Sequence, residues 1–157
     1  MNQKNLALWL KIIVIGVGIA GLLIYFWLLP TIGKDLAVEE FKHLYWPYLI
    51  TIWVTAVPIY WALVLAWKIF TNIGLDNSFC EENAHYLKKI SILAACDCAY
   101  FFIMTVIGTF LNAVHPGILL IALFAIFTGI AIAVATAALS HLVYKAAVLQ
   151  DQSDLTI

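Results

Sequence analysis

Arginine is absent from this 157-residue chain, and charge of either sign is scarce, at 11% of residues with a formal net charge of −1. Without a guanidinium or a basic surface, nothing offers the planar fork or counter-charge that direct nucleic-acid binding uses. A Gly-rich phosphate loop, a Ser-His-Asp order and paired carboxylates at membrane depth are also missing, so neither an enzyme nor a cofactor is expected. Three cysteines, Cys80, Cys96 and Cys98, make no disulfide framework and read as free thiols. On one helix Cys96 and Cys98 would point about 200° apart, which keeps both sulfurs from facing one metal ion. His43 and His115, with Glu39 or Glu40, are the only other arrangement that suggests a metal, and two isolated histidines argue weakly. No metal site is expected.

What the chain has instead is hydrocarbon. Hydrophobic residues make up 65% of it, and its mean hydropathy is +1.02. A soluble chain runs nearer half apolar and a quarter charged. Four runs are long enough to span a bilayer: residues 12–29, 46–67, 90–111 and 118–139. The first ends in bulky residues and Pro30 rather than a small-residue cleavage site, so it reads as a retained span. Pro58 sits inside the second and is expected to kink it. A short surface helix is expected over Asp35–His43, and Asn112–Gly117 reads as a tight reversal. The fold class is therefore all-α, a polytopic membrane protein of four transmembrane helices. Residues 71–89 form a connector between the second and third spans, and residues 142–157 form a tail. Lys4, Lys11, Lys68, Lys88, Lys89 and Lys145 flank the termini and the connector, against Lys34 and Lys42 across the membrane. This bias places both termini and the connector in the cytoplasm, and the chain in the inner (cytoplasmic) membrane of a cell.

In lipid, helices associate through small residues that let backbones approach. Ala125, Gly129, Ala133 and Ala137 recur every fourth residue in the fourth span, and Gly16 and Ala20 do so in the first. We expect a compact four-helix bundle with the first and fourth spans close together or against the aromatic second. Asp97 is the one carboxylate within an apolar run. At about 2.5–3.5 kcal/mol for a charge at the helix centre, it should face the bundle and find a partner. Counted from Ile90 it lies about 10 Å inside the boundary, level with Tyr60 and far from His141. Tyr60 and Thr136 are the expected hydrogen-bond partners. The site reads either as a proton or cation relay or as a polar tie that sets helix register.

The connector is the longest polar stretch, Thr71–Lys89. Gly74 is expected to end the second helix in a left-handed conformation. Ser78 and Glu81 form a capping-box pattern for a helix starting near Phe79, with Cys80 as an alternative cap. Phe79, Glu82 and Asn83 are candidate partner-binding residues. The segment Asn77-Ser78-Phe79-Cys80-Glu81-Glu82-Asn83-Ala84, followed by Leu87-Lys88-Lys89, lies between the second and third of four spans. With the ending Asp154-Leu155-Thr156-Ile157, it resembles the DUF2975 family of small bacterial membrane proteins. The chain departs from that pattern at Cys80, where Ser or Thr is usual, and in lacking an arginine after Asn83. The resemblance implies a membrane protein without assigned activity, and a small Cro/C1-type helix-turn-helix regulator as partner. On that basis Asp154, Leu155, Thr156 and Ile157 join the partner-binding candidates, and the function expected is a regulatory or interaction module. The alternative is a small proton-coupled transporter, or a lipid- or quinone-binding bundle, using Asp97, Trp53, Tyr60 and Trp61. The bilayer is the partner that composition implies, and a second copy of the chain is left open.

Overall fold

The helices run longer than the apolar stretches that mark them. The computed structural model describes residues 3–36, 45–112 and 114–154, with only the backbone described for Asp35, Leu36 and Asp154. Helix α1 is Gln3–Leu23, α2 Leu29–Leu36, α3 Tyr45–Gly74, α4 Glu81–Phe110 and α5 Pro116–Asp154. A single π-helical turn, Ile24–Leu28, joins α1 to α2 into one continuous span. Four helices are long and apolar enough to cross a membrane, and no strand occurs among the described residues. The protein is thus an all-helical polytopic membrane protein. Most of the helix expected over Asp35–His43 lies outside the described residues, as do Ala113 and the last three residues of the tail.

Pro30, expected to end the first span, instead sits inside it. Proline has no N–H to give to the carbonyl four residues back, and its ring crowds that carbonyl. The preceding π turn relieves this by widening one turn, with the Leu29 N–H bonding the Ile24 carbonyl. Pro58, likewise, lies within an unbroken α3. At the far reversal Pro116 is the first residue of α5, where its missing N–H costs nothing. His115 caps that helix: its carbonyl accepts from Ile118 at 2.9 Å, and its Nδ1 accepts from the Gly117 N–H at 3.2 Å. Gly117 therefore belongs to the helix and not to the turn. The left-handed residue at that reversal is Asn112, with φ 51°.

The long helices pack in chain order as an open row. Helix α1 lies on α3, α3 on α4, and α4 on α5. Among the described residues α1 meets neither α4 nor α5, which corrects the expected compact bundle with its first and fourth spans adjacent. The reason is visible on α5, whose small residues face α4. Its buried and half-buried positions include Ala122, Ile126, Gly129, Ala133, Thr136, Ser140, Val143 and Ala147. Those steps alternate between four and three, which keeps one stripe facing a neighbour along the whole helix. The expected every-fourth-residue stripe drifts around the helix, and Ala125 and Ala137 are exposed.

The α4 face of this seam is Ala84, Leu87, Ser91, Ala94, Cys98, Phe101 and Thr105. Three side chains cross it to backbone carbonyls: Ser140 Oγ to Ala84 at 2.7 Å, Ser91 Oγ to Ala133 at 2.8 Å, and Cys98 Sγ to Ile126 at 3.7 Å. Each rung lies seven residues on along α4 and seven back along α5, so the three form an antiparallel ladder in one register. Between α3 and the first span (α1, the π turn and α2) the reaching side chains are aromatic. Tyr60 donates to the Gly18 carbonyl at 2.8 Å, the Trp53 indole to Tyr25 at 3.1 Å, and Tyr45 to Pro30 at 3.3 Å.

Candidate functional site

The connector reverses the chain in six residues, from Leu75 to Cys80. Helix α3 closes with two backbone bonds, Asn77 N–H to the Asn72 carbonyl at 3.0 Å and Asp76 N–H to Ile73 at 3.1 Å. This is the Schellman pattern, and it requires a left-handed residue just past the helix. Asp76 takes that role with φ 59°, and no glycine among the described residues has a positive φ. Gly74, expected there, serves another purpose: a Cβ on it would lie 3.1 Å from that of Ala7, so it lets α1 approach.

Asn83 holds the loop from below. Its Nδ2 donates to the Asn77 and Ser78 carbonyls at 3.2 and 3.0 Å, and its Oδ1 accepts from Asn72 Nδ2 at 2.9 Å. Both amide protons are thereby used on loop carbonyls that α4 itself cannot reach. At 1% exposed, Asn83 is the most buried large side chain and has no surface to offer a partner. Its neighbour Glu82 accepts from the Tyr86 hydroxyl and from Asn72 Nδ2 at 3.3 Å. Those bonds, Tyr86's first, hold the Glu82 carboxyl below its usual range, and the same contact pushes the Tyr86 hydroxyl up. Both residues precede Ile90, where the apolar run begins.

The expected capping box does not form. Helix α4 starts at Glu81, and Cys80 is its extended N-cap without a side-chain bond to the helix, its Sγ accepting from Asn72 Nδ2 at 4.0 Å instead. Ser78 Oγ turns away, to Gln3 Oε1 at 3.2 Å. With the loop carbonyls bound by Asn83, the entry to α4 is shaped from its third residue instead. Two apolar side chains stand out from this ordered loop, Leu75 at 73% and Phe79 at 56% exposed. Of the tail candidates, only the Asp154 backbone is described, as the last residue of α5; Leu155, Thr156 and Ile157 lie outside the described residues.

Depth is set by two cation–aromatic contacts, Lys11 over the Trp67 ring at 5.1 Å and Lys68 over Tyr86 at 5.5 Å. They mark the lysine-rich boundary on three helices at once. Asp97 lies eleven residues beyond Tyr86, roughly 16 Å at 1.5 Å per residue. In a hydrocarbon core of about 30 Å that is the middle, deeper than counting from Ile90 suggested. It stands on the α4 strip facing α3, with Leu93 and Tyr100 on either side, and is half-buried.

Neither expected partner bonds it. The Tyr60 hydroxyl is turned to α1 and the Gly18 carbonyl. Thr136 donates to the carbonyls of Ile132 and Ala133 on its own helix, at 2.7 and 3.1 Å. The ladder puts Asp97 level with Phe127, so Thr136 is about 13 Å away along the axis and His141 about 21 Å. Tyr25 and its own neighbour Cys98 lie within electrostatic reach of Asp97. Tyr25 and Thr55 share a 3.0 Å hydroxyl–hydroxyl hydrogen bond. Tyr25 and Thr55 were not singled out from the sequence, and nor was Asn72. Tyr25 is placed by the π turn, which no simple helical count includes. Asn72 carried a readable signal, as the amide on the α3 side of a turn whose α4 side has another. Among the described residues no three or more His, Cys, Asp and Glu gather as metal ligands. Cys96 is exposed and Cys98 faces α5.

Comparison with known proteins agrees with this architecture. The chain is 32% identical over 167 residues, covering 100% of both proteins, to the Bacillus subtilis (strain 168) protein named "Uncharacterized membrane protein YoaS". No solved structure matches it. Residues 31–157 match the family described as "Protein of unknown function (DUF2975)". A match over most of the chain, with four membrane-crossing helices in the expected order, makes this protein a member of the DUF2975 family.

Proposed function

We propose that the protein is a non-catalytic interaction module of the bacterial cytoplasmic membrane, whose connector and α5 end engage a small helix-turn-helix regulator in the cytoplasm. The observation that carries this reading is the connector itself. A six-residue loop is braced by a buried amide and two helix-end bonds, yet it holds Leu75 and Phe79 outward in a polar region. Ordered apolar side chains on a polar surface are what a protein contact uses. The lysine bias supports the cytoplasmic side. The nature of the partner follows from the family resemblance. On this reading Phe79 and Leu75 make the contact, while Asn83 and Glu82 act through the shape of the loop.

Co-purification from native membranes tests it. Phe79→Ser and Leu75→Ser should each lose the regulator while inserting normally, and Asn83→Ala should lose it through a disordered loop. Recovery of no DNA-binding protein with the wild-type chain would sink the idea.

A second reading rests on Asp97 at mid-membrane, with the hydrogen-bonded Tyr25–Thr55 pair within its electrostatic reach, a setting suited to passing a proton or holding a cation. Asp97→Asn in proteoliposomes separates the two. Loss of proton flux with the partner retained supports the second reading; unchanged flux removes it.

A further inference from the structure

One side of the α4–α5 hairpin bears a groove of about 740 Å3 at the connector end. Glu81, His85 and Lys88 form one wall, and His141 and Tyr144 stand on the other. Its floor is small, Ala84 and Ser140, and the Ser140–Ala84 bond at 2.7 Å fixes the spacing of the walls. The groove lies at the depth marked by Lys68 and Tyr86, the membrane–water boundary. Toward the membrane centre Ala95, Cys96 and Ala99 are exposed on α4, and Ile130 and Val134 on α5.

Charge along the groove is ordered. By helix position Lys88 is nearest the apolar run, His85 comes about a turn further out and Glu81 a turn beyond it, while the ladder sets His141 level with residue 83, between His85 and Glu81. Glu82 is taken up by Tyr86 and Asn72, so Glu81 is the carboxylate that faces the groove entrance. We propose that this groove binds the headgroup of an ethanolamine phospholipid, with the phosphate at Lys88 and the two imidazoles and the ammonium at Glu81 against the Tyr144 ring. The order of charges in such a lipid, anion near the glycerol and cation outside, is the order in the groove. The ammonium supplies N–H donors to a carboxylate and a cation to an aromatic face. A choline headgroup has the charge but no N–H, and a glycerol headgroup has hydroxyls but no cation. The proposal is independent of the regulatory reading, since loop residues Leu75 and Phe79 take no part in it.

Native mass spectrometry of the full chain, given phosphatidylethanolamine, phosphatidylcholine and phosphatidylglycerol with identical acyl chains, tests it. The wild type should retain the ethanolamine lipid about tenfold over the glycerol lipid, the size of one charge-assisted contact. Glu81→Gln should erase that preference, and Lys88→Gln should weaken retention of all three lipids. Lys145→Gln, outside the groove, should change neither. Thermal unfolding of each variant shows whether it is folded, and exposed positions such as these should leave it unchanged. Equal retention of the three lipids by the wild type, or a preference that survives Glu81→Gln, overturns the proposal.

Discussion

The two outer helix pairs solve one problem by different means. Both α1–α3 and α4–α5 are tied by side chains that donate to backbone carbonyls on the facing helix. In α4–α5 the donors are Ser91, Cys98 and Ser140, short side chains set among alanine and glycine. Between the first span and α3 they are Tyr45, Trp53 and Tyr60, long aromatic side chains that reach α2, the π turn and α1 in turn. A short donor demands close backbones and a strict register, because it reaches only what lies directly opposite. A long aromatic donor fills the gap it spans and tolerates adjustment. The α4–α5 pair is therefore a rigid hairpin, and the α1–α3 pair a softer contact that accommodates a π turn.

Glycine substitution should expose this difference most. A Cβ on Gly129 collides with Cys98 Sγ, a short side chain already committed to the Ile126 carbonyl. Gly129→Ala should cost about 1–3 kcal/mol, as overpacking does. A Cβ on Gly21 would lie 2.8 Å from the Tyr60 hydroxyl, the end of a long arm that can swing aside. Gly21→Ala should then cost at most the one hydrogen bond, about 1 kcal/mol. Reversible unfolding by SDS titration in bicelles measures both, and equal costs would undo the comparison.

Removing single donors should have smaller effects. Tyr60→Phe should lower stability by about 1 kcal/mol, since it leaves the Gly18 carbonyl less satisfied. Ser91→Ala should lower it by about 0.6 kcal/mol, the usual size of an interhelical hydrogen bond in a membrane. Ser91→Ala and Ser140→Ala together should add, the rungs being two turns apart with no shared partner. The same titration would show a departure from additivity if the ladder acted as one unit.

The smallest effect belongs between the pairs, where Glu82 of α4 reaches Asn72 of α3. Because the folded carboxyl is held below its usual range, its contribution is present above the unfolded value and lost as pH falls through the folded one. The group is exposed, and solvent screens the effect. Acidification through and below the ordinary carboxylate range should lower the melting temperature slightly in the wild type. Glu82→Gln should remove that slope.

Much of the fold was legible because hydropathy is local. Four apolar runs, the lysine-marked ends and the break at the connector all appear in the structure as four long helices. Helix ends were less legible. Pro30 reads as a stop, yet a π turn carries the helix through it, and Gly74 reads as a left-handed cap that Asp76 in fact supplies. At the candidate site, Phe79 was readable as an exposed apolar residue in a polar stretch. Asn83 was singled out as a contact, but its burial depends on Asn72 and on two loop carbonyls that only the turn brings within reach.

Residue composition by itself determined that this chain lives in a bilayer and crosses it four times, because the cost of placing each side chain in hydrocarbon is a property of that side chain. Which faces meet was decided only by the tertiary structure. The every-fourth-residue stripe on α5 gave way to a seam of alternating steps of four and three, and Asp97 bonds neither Tyr60 nor Thr136, whose hydroxyls are taken by backbone carbonyls. Register and partnership depend on what stands opposite, and in an open row of helices the opposite residue is set by the geometry of two helices together.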